Sequence, residues 1–431
     1  MFNETLFQDS GLAASQDFRS EFAPDHNDNS TSKGLEVAYI FRQSGGSYQR
    51  THRTTAEESR IIRAIKKCRT SALGGHIDVC DQCGFKAISY YSCRNRHCPK
   101  CQALDSARWL DEHKADLLPV EYYHIVFKLP ARLAPLVLRY KKFFYNLLFD
   151  SASIALRETA ANPDYLGAVI GFLAILQTWG QQLQFHPHLH CLIPGGGLSP
   201  DGRRWIRCSD NFFLPSDVLS QQFRRQCLRI LQRAFDKGDL KLHGKFSQST
   251  PACFLEELAS LDSEEWAVYI KPSNSAAQVL DYLARYSHRV AISNDRLVEI
   301  TETGVSFRCK DYQHQNRQRI MTLSHHEFIR RFLLHTLPPG FQRIRQYGFL
   351  SNRSRRVKLA LCRKLLNCSD GREQQSGKKK DFRVLYEELT GRSHWHCPRC
   401  QCELHRSQVP WSLDLESYSN SQRERERNNT S

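Results

Sequence analysis

The segment Phe185-His186-Pro187-His188-Leu189-His190-Cys191 carries three imidazoles at every second position. Side chains alternate along a β-strand, so His186, His188 and His190 share one face while Leu189 points to the other. Two imidazoles at i and i+2 on a rigid strand form a preorganised bidentate site for a divalent ion. Pro187 is ill suited to a central strand, so regular pairing is expected from His188 onward. That singles out His188 and His190 over His186. Taken alone, such a pair is equally compatible with half-exposed histidines at a sheet edge.

A second group is Tyr282-Leu283-Ala284-Arg285-Tyr286. On a helix the two tyrosines stand at i and i+4, one turn apart on one face. A phenol has a pKa near 10 and is a poor nucleophile at neutral pH. It becomes effective when a metal polarises the phosphate it attacks. The product would be a 5′-phosphotyrosine bond and a free 3′-hydroxyl. That bond conserves the energy of the phosphodiester, so a hydroxyl can later reseal the strand without ATP. Two tyrosines permit two such transfers. Val279 and Leu283 occupy the same broad face, so a purely apolar role for the phenols stays open. Arg285 and Arg289 repeat the spacing on an adjacent face, where they could grip phosphates or simply be solvated.

Cysteines form the third group. The chain has 16 of them in 431 residues. Six fall between Cys68 and Cys101, and three more between Cys397 and Cys402. The first 29 residues lack the basic start and apolar centre of an export signal. In such a chain, clustered Cys-x-x-Cys pairs read as metal ligands rather than disulfides. Cys80-x-x-Cys83 and Cys98-x-x-Cys101 suit one tetrahedral zinc site. Cys68, His76, Cys93 and His97 would complete a second, in a cross-braced arrangement. The interleaved Arg94, Arg96 and Lys100 suggest contact with DNA, the alternative being a zinc site that only supports the fold. The run from His394 to Cys402 could be a further half-site, without an obvious partner.

Elements must position these groups. Helical patterns cover Thr55–Lys67, Ala103–Leu118, most of 131–182, about 215–236 and Ser275–Arg289. Strand patterns cover Tyr122–Phe127, Gln184–Ile193, Trp266–Ile270 and Gly304–Asp311, and Val290–Ile300 reads as a hairpin turning near Asn294 and Asp295. Long helices mixed with strands argue for an α+β fold. The span Pro339–Cys368 has no acidic residue and eight arginines and lysines, including Arg343 and Arg345; it reads as a basic helical face. Residues 1 to about 50, and the tail from Ser417, are expected to be partly disordered.

A chain this long exceeds one compact core, so two or more domains are expected. Lysine plus arginine outnumber aspartate plus glutamate by 61 to 45, a net charge of +16. Such a surplus favours a polyanionic partner, most commonly nucleic acid. No apolar run reaches the roughly 20 residues a membrane span needs. A cytoplasmic protein without a membrane partner is expected.

In combination these motifs resemble the two-tyrosine HUH transposases of rolling-circle insertion sequences, over roughly Cys68 to Cys400. Ser92-Cys-Arg-Asn-Arg-His-Cys-Pro-Lys-Cys-Gln102 is similar to the family's zinc-binding domain. Phe185-His-Pro-His-Leu-His-Cys-Leu-Ile-Pro-Gly-Gly-Gly-Leu-Ser199 is similar to its histidine motif, and Tyr282-Leu-Ala-Arg-Tyr-Ser-His-Arg-Val-Ala-Ile-Ser-Asn294 to its tyrosine motif. Leu337-Pro-Pro-Gly-Phe-Gln-Arg-Ile-Arg-Gln-Tyr-Gly348 matches a downstream segment. The resemblance implies a central antiparallel sheet flanked by helices, with a small N-terminal zinc-binding domain and a helical basic C-terminal region. It implies His188 and His190 as ligands of a catalytic Mg²⁺ or Mn²⁺, Tyr282 and Tyr286 as nucleophiles, and structural Zn²⁺ in the cysteine module. No motif fixes a third ligand for the catalytic ion. His124 is preferred if its strand pairs with the histidine strand, with Gln278 and His186 as alternatives.

The expected domains are a variable N-terminus (1–54), a zinc-binding DNA-contact domain (55–115) and a catalytic domain (116–335). A basic helical region with a linker (336–390) and a Cys-rich C-terminal segment (391–431) follow. The expected activity is nicking of single-stranded DNA at insertion-sequence ends and transfer of the strand to a target. Two other functions fit parts of the pattern: a plasmid rolling-circle replication initiator or relaxase, and a non-enzymatic zinc-dependent DNA-binding regulator.

Overall fold

A computed structural model describes residues 35–101, 103–210, 212–240, 256, 260–261, 266–273, 275–287, 291–311, 317–368, 381–391, 393 and 395–408. In chain order, helices α1 (Val37–Thr51) and α2 (Ala56–Lys67) lead into strands β1 (Gly75–Val79) and β2 (Lys86–Tyr90). Helix α3 (Ala103–Lys114) precedes β3 (Tyr122–Lys128), α4 (Ala134–Arg139) and α5 (Lys141–Ala161). Then come β4 (Gly171–Trp179), β5 (Phe185–Pro194), β6 (Gly196–Leu198), β7 (Trp205–Arg207) and α6 (Ser216–Asp236). β8 (Val268–Ser273) and α7 (Ala276–Ser287) are followed by β9 (Leu297–Ile300), β10 (Gly304–Asp311), β11 (Arg317–Ser324) and α8 (His325–Leu334). The last elements are β12 (Ile344–Gly348), α9 (Arg355–Leu365), α10 (Phe382–Thr390) and β13 (His405–Gln408).

Two compact units are present, each discontinuous in sequence. The described residues of the first fall within 110–287 and 337–368. Among its described residues is a five-stranded antiparallel sheet in the order β12-β4-β5-β3-β8. One face carries Tyr123, Ile125 and Phe127 of β3, Phe172, Ala174 and Leu176 of β4, and Leu189, Cys191 and Ile193 of β5. Phe144, Leu148 and Leu156 of α5 and Leu219, Phe223 and Leu231 of α6 close over it in one apolar cluster. This is the expected α+β architecture, a central antiparallel sheet flanked by helices.

The sequence pattern misplaces two strands of this sheet. Residues 131–182 are mostly helical as expected, through Ala134–Arg139 and Lys141–Ala161, but β4 occupies 171–179. All nine residues of Gly171-Phe-Leu-Ala-Ile-Leu-Gln-Thr-Trp179 are buried. A strand covered on both faces loses its two-residue alternation and cannot be told from a buried helix by period. The basic segment is likewise not helical throughout. Its first part is the edge strand β12, which pairs Gly348 with Gly171, and only Arg355–Leu365 is helix. Gly348 sits at φ +59°, and a Cβ there would meet the carbonyl oxygen of Ile170 at 1.8 Å. Only glycine fits that close approach.

The described residues of the second unit fall within 35–109, 291–336 and 381–408. Helix α1 falls in the segment expected to be partly disordered. It buries Val37, Ile40, Phe41 and Tyr48, and Phe41 meets Phe332 of α8 edge-on at 5.2 Å. Helix α2 starts with a capping box in which Thr55 and Glu58 satisfy each other's backbone N–H groups. Strands β9, β10 and β11 form a three-stranded sheet. The expected turn at Asn294 and Asp295 is a 3₁₀ turn entering β9, and the hairpin itself closes between Ile300 and Gly304. A second three-stranded sheet has the order β13-β1-β2. Its outer strand β13 comes from the C-terminal segment, where no strand is legible in the sequence. Residues 1–34, the linker 371–380 and the tail from 417 lie outside the described residues. Among the described residues, no helix is long and apolar enough to cross a membrane.

Candidate active site and cysteine clusters

Strand β5 is the middle strand of the large sheet, and its second face holds the histidines. His188 lies opposite Lys128 of β3 and Gln177 of β4. His190 lies opposite Val126 and Ile175. Both imidazoles are buried, at 7% and 5% exposure. Burial holds both well below the ordinary histidine range, so both rings are neutral at physiological pH. Neutral imidazole is the form that binds metal. The Nδ1 of His188 donates to the carbonyl of His186 at 2.7 Å, which leaves the Nε2 lone pair for a ligand.

The hydrogen bonds of His190 fix its tautomer. Gln177 donates from Nε2 to the Trp179 carbonyl at 3.1 Å, which turns its Oε1 toward His190. That oxygen can only accept, so the Nε2–H of His190 donates to it across 3.1 Å. The Nδ1 of His190 then accepts from His124 Nε2 at 2.9 Å. His124 therefore approaches His190 on the side away from Gln177. Burial lowers the His124 pKa to about 4, and likewise that of His186. His186 is half-buried at the strand entrance, its ring 5.3 Å from that of His188. Among the described residues, His124, His188 and His190 do not converge as one three-nitrogen group; the clusters that do converge are cysteines.

Two residues at this face escape the sequence reading. Gln177 is the one amide within the apolar run of β4, and that oddity was its signal. Lys128 ends β3 directly across from His188. Burial lowers its pKa to about 8, and its ammonium lies 4.8 Å over the Tyr269 ring. Nothing in the sequence of β3 marks it.

Helix α7, which carries Tyr282 and Tyr286, packs against β4. Among the described residues, its buried Leu280, Leu283 and Ala284 are not part of the apolar cluster under α5 and α6. Asp281 of α7 pairs with Lys114 at 2.7 Å. The adjacent His113 contacts Gln346 of β12, which lies opposite Leu173 of β4. The backbone positions of Gln278, Tyr282, Arg285 and Tyr286 are thus defined on α7. The side chains of these four, and the whole of Arg289, lie outside the described residues.

The cysteines sort differently from the expected cross-brace. Cys68, Cys93, Cys98 and Cys101 form one cluster; Cys80, Cys83, Cys397 and Cys400 form another. Within each, the sulfurs all lie within 4.8 Å of one another. The hairpin β1–β2 explains the division. Cys80 and Cys83 sit at its closed end, beyond the Val79–Lys86 pair. Cys68 and Cys93 flank its open end, beyond Gly75–Tyr90, where Arg69 N–H donates to the Tyr91 carbonyl at 3.1 Å. Four residue steps of strand separate the ends by about 13 Å. That is too far for Cys80 and Cys83 to share an ion with Cys98 and Cys101.

His76 and His97 join neither cluster. His76 lies within β1, its Nε2 3.4 Å from the Asp78 carboxylate. His97 faces Asn95, with Nδ1 3.2 Å from Oδ1. In the first cluster, Cys101 stands 3.4 Å from Cys68 and 3.5 Å from Cys93. A tetrahedron with 2.3 Å Zn–S bonds has sulfurs about 3.8 Å apart, close to this spacing. Hydrogen bonds from Cys68, Cys93 and Cys98 hold the Cys101 thiol well below its usual range, while hydrogen bonding to Cys101 pushes Cys93 and Cys98 up.

The basic residues divide by surroundings. Arg94 is exposed. Arg96 is half-buried, and burial lowers its pKa. Lys100 pairs with Glu36. Arg345 stacks 4.0 Å over the Phe149 ring and donates from Nη2 to Asn146 at 2.6 Å. Arg343 is half-buried in the approach to β12, and its carbonyl accepts from the Leu176 N–H at 2.8 Å.

Comparison with known proteins supplies a family. A family model described as "Putative transposase" matches residues 171–358, and one described as "Transposase zinc-binding domain" matches residues 40–129. The "Putative transposase y4qJ" of Sinorhizobium fredii is 51% identical over 370 residues, covering 85% of this chain and 93% of its own. The "Transposase for insertion sequence element IS801" of Pseudomonas savastanoi pv. phaseolicola is 27% identical over 310 residues, covering 69% of this chain and 71% of its own. No solved structure matches the chain.

Proposed function

Because this chain belongs to the transposase family of those two relatives, we propose that it nicks single-stranded DNA at insertion-sequence ends and transfers the strand through a 5′-phosphotyrosine intermediate. The observation that carries this reading is the histidine face: two buried neutral imidazoles on the central strand, with the tyrosine helix packed on the neighbouring strand. A purely DNA-binding protein has no use for that arrangement.

The donor set fits a divalent ion. His188 offers Nε2. The Nε2 of His190 and the Oε1 of Gln177 share a single proton across 3.1 Å. Two acceptors aimed at one proton are what a cation can replace. Gln177 is therefore our third ligand, ahead of His124, Gln278 and His186. With an ion on Nε2 the His190 proton would sit on Nδ1 and be donated to His124 Nε2, which makes His124 a positioning residue in the manner of outer-shell partners of metal-bound histidines. When bound, Mg²⁺ or Mn²⁺ would polarise the scissile phosphate.

In the nicking step the phenol oxygen of Tyr282 or Tyr286 forms a bond to phosphorus and gives its proton to solvent. The P–O3′ bond breaks, and the departing 3′-oxygen takes up a proton. Attack by a target 3′-hydroxyl on the phosphotyrosine reverses the exchange and joins the strands. Lys128, held beside His188, suits a phosphate oxygen. Exposed basic residues such as Arg94 would track the backbone of the DNA.

The test is a nicking assay on single-stranded oligonucleotides carrying the element's ends. The wild-type chain is expected to form a covalent adduct stable to denaturation, and Tyr282→Phe/Tyr286→Phe to form none. An adduct that persists in the double variant removes the tyrosines from the reaction.

A further inference from the structure

The second cysteine cluster joins parts of the chain some 300 residues apart. Cys80 and Cys83 lie in the turn between β1 and β2; Cys397 and Cys400 lie just before β13. Only the first pair falls within the segment that matches a zinc-binding domain.

The two pairs are built alike. Cys80 N–H donates to the carbonyl of Phe85 at 2.8 Å, and Cys397 N–H to that of Cys402 at 2.7 Å, each five residues on. The N–H of Gly84 returns to the Cys80 carbonyl at 2.9 Å, and that of Gln401 to the Cys397 carbonyl at 2.9 Å, each four residues back. The residue after the second cysteine takes a positive φ in both, +68° at Gly84 and +62° at Gln401. These are two copies of one knuckle, and they meet face to face. Cys80 stands 3.4 Å from Cys400, and Cys83 3.4 Å from Cys397. The Arg399 N–H also points at the Cys397 sulfur, at 3.4 Å. A left-handed residue such as Gln401 carries a backbone cost when it is not glycine, and the paired knuckle geometry is what it secures.

We propose that Cys80, Cys83, Cys397 and Cys400 bind a second zinc ion, which clasps the C-terminal segment to the β1–β2 hairpin and holds β13 on the edge of β1. Four soft thiolates in a tetrahedral group select zinc over the hard divalent ion suited to the histidine face. The other contacts include four register pairs between β1 and β13, Arg406–Asp78 at 3.4 Å, His405–Asp81 at 3.5 Å, and the Arg399 guanidinium 5.3 Å over the Phe85 ring. Partly exposed ion pairs of this kind contribute little. An ion shared by the two knuckles adds the link that keeps β13 docked. Cys83 and Cys400 are exposed, so this ion exchanges faster than the one held by Cys68, Cys93, Cys98 and Cys101.

The test is zinc content of the full-length chain by elemental analysis. Two ions per wild-type chain are expected, and one in Cys397→Ser/Cys400→Ser. Mercurial titration of the wild-type chain, which needs no variant, should release two ions in two phases. Hydrogen exchange should lose protection at 405–408 in the first phase. A single ion in the wild type, undiminished zinc in the double variant, or a Cys80–Cys400 disulfide in the chain purified from cytosol would overturn the proposal. None of these readouts depends on DNA cleavage.

Discussion

The histidine face and the cysteine clusters are both candidate ligand sets, but they are assembled by opposite means. The histidine face is set by backbone pairing: β3, β4 and β5 fix His124, Gln177, His188 and His190 by register, over a closed apolar cluster. The cysteine clusters gather loops and strand ends around short three-stranded pairing, and in the second cluster Cys83 and Cys400 are exposed. The histidine face is complete without an ion, because folding energy comes from buried apolar surface. The other needs its ion to be finished, because zinc binding is folding energy there.

The largest effect expected from this contrast is zinc removal. A strong chelator should abolish hydrogen-exchange protection across 75–101, against a metal contribution on the order of 10 kcal/mol. Protection of β4 and β5 should stay. Joint loss of protection in both regions would break the comparison. The converse perturbation is Phe172→Ala, which empties a fully buried site under the large sheet. It should cost about 3–5 kcal/mol in denaturant unfolding of that unit while zinc content stays at the wild-type value.

Smaller effects sharpen the histidine side. Gln177→Ala and His124→Ala should each weaken Mn²⁺ binding about 10–100-fold, measured by calorimetry on the metal-free chain. The two should differ in kind. His124→Gln, which can still hydrogen-bond the His190 ring, should recover most of the loss; Gln177→Leu, which keeps the volume without the oxygen, should recover none. Equal rescue at both positions would dissolve the distinction between ligand and positioning residue. Smallest is Arg345→Ala. Its guanidinium is committed to Phe149 and Asn146, so about 1–2 kcal/mol of stability should be lost. Non-specific DNA binding should weaken less in this variant than in one lacking the exposed Arg94.

The residues proposed to carry the chemistry stand out in the sequence because their spacing is local. His188 and His190 at i and i+2, Tyr282 and Tyr286 at i and i+4, and the Cys-x-x-Cys pairs are all short-range patterns, and period 2 or 3.6 fixes which of them share a face. The α+β character followed from the same periods. What lay beyond reach depends on pairing between distant segments. β4 hid inside an apolar run because burial on both faces erases the alternation that marks a strand. Gln177 became part of the histidine face only because β4 pairs with β5. The partners of Cys80 and Cys83 were decided by β13 returning from residue 405 to the edge of β1. Cys-x-x-Cys spacing says that a pair binds metal, but a tetrahedral ion takes its other two ligands from wherever the fold delivers them. Which sulfurs meet is therefore a property of the tertiary structure, set here by a hairpin long enough to hold its two ends apart.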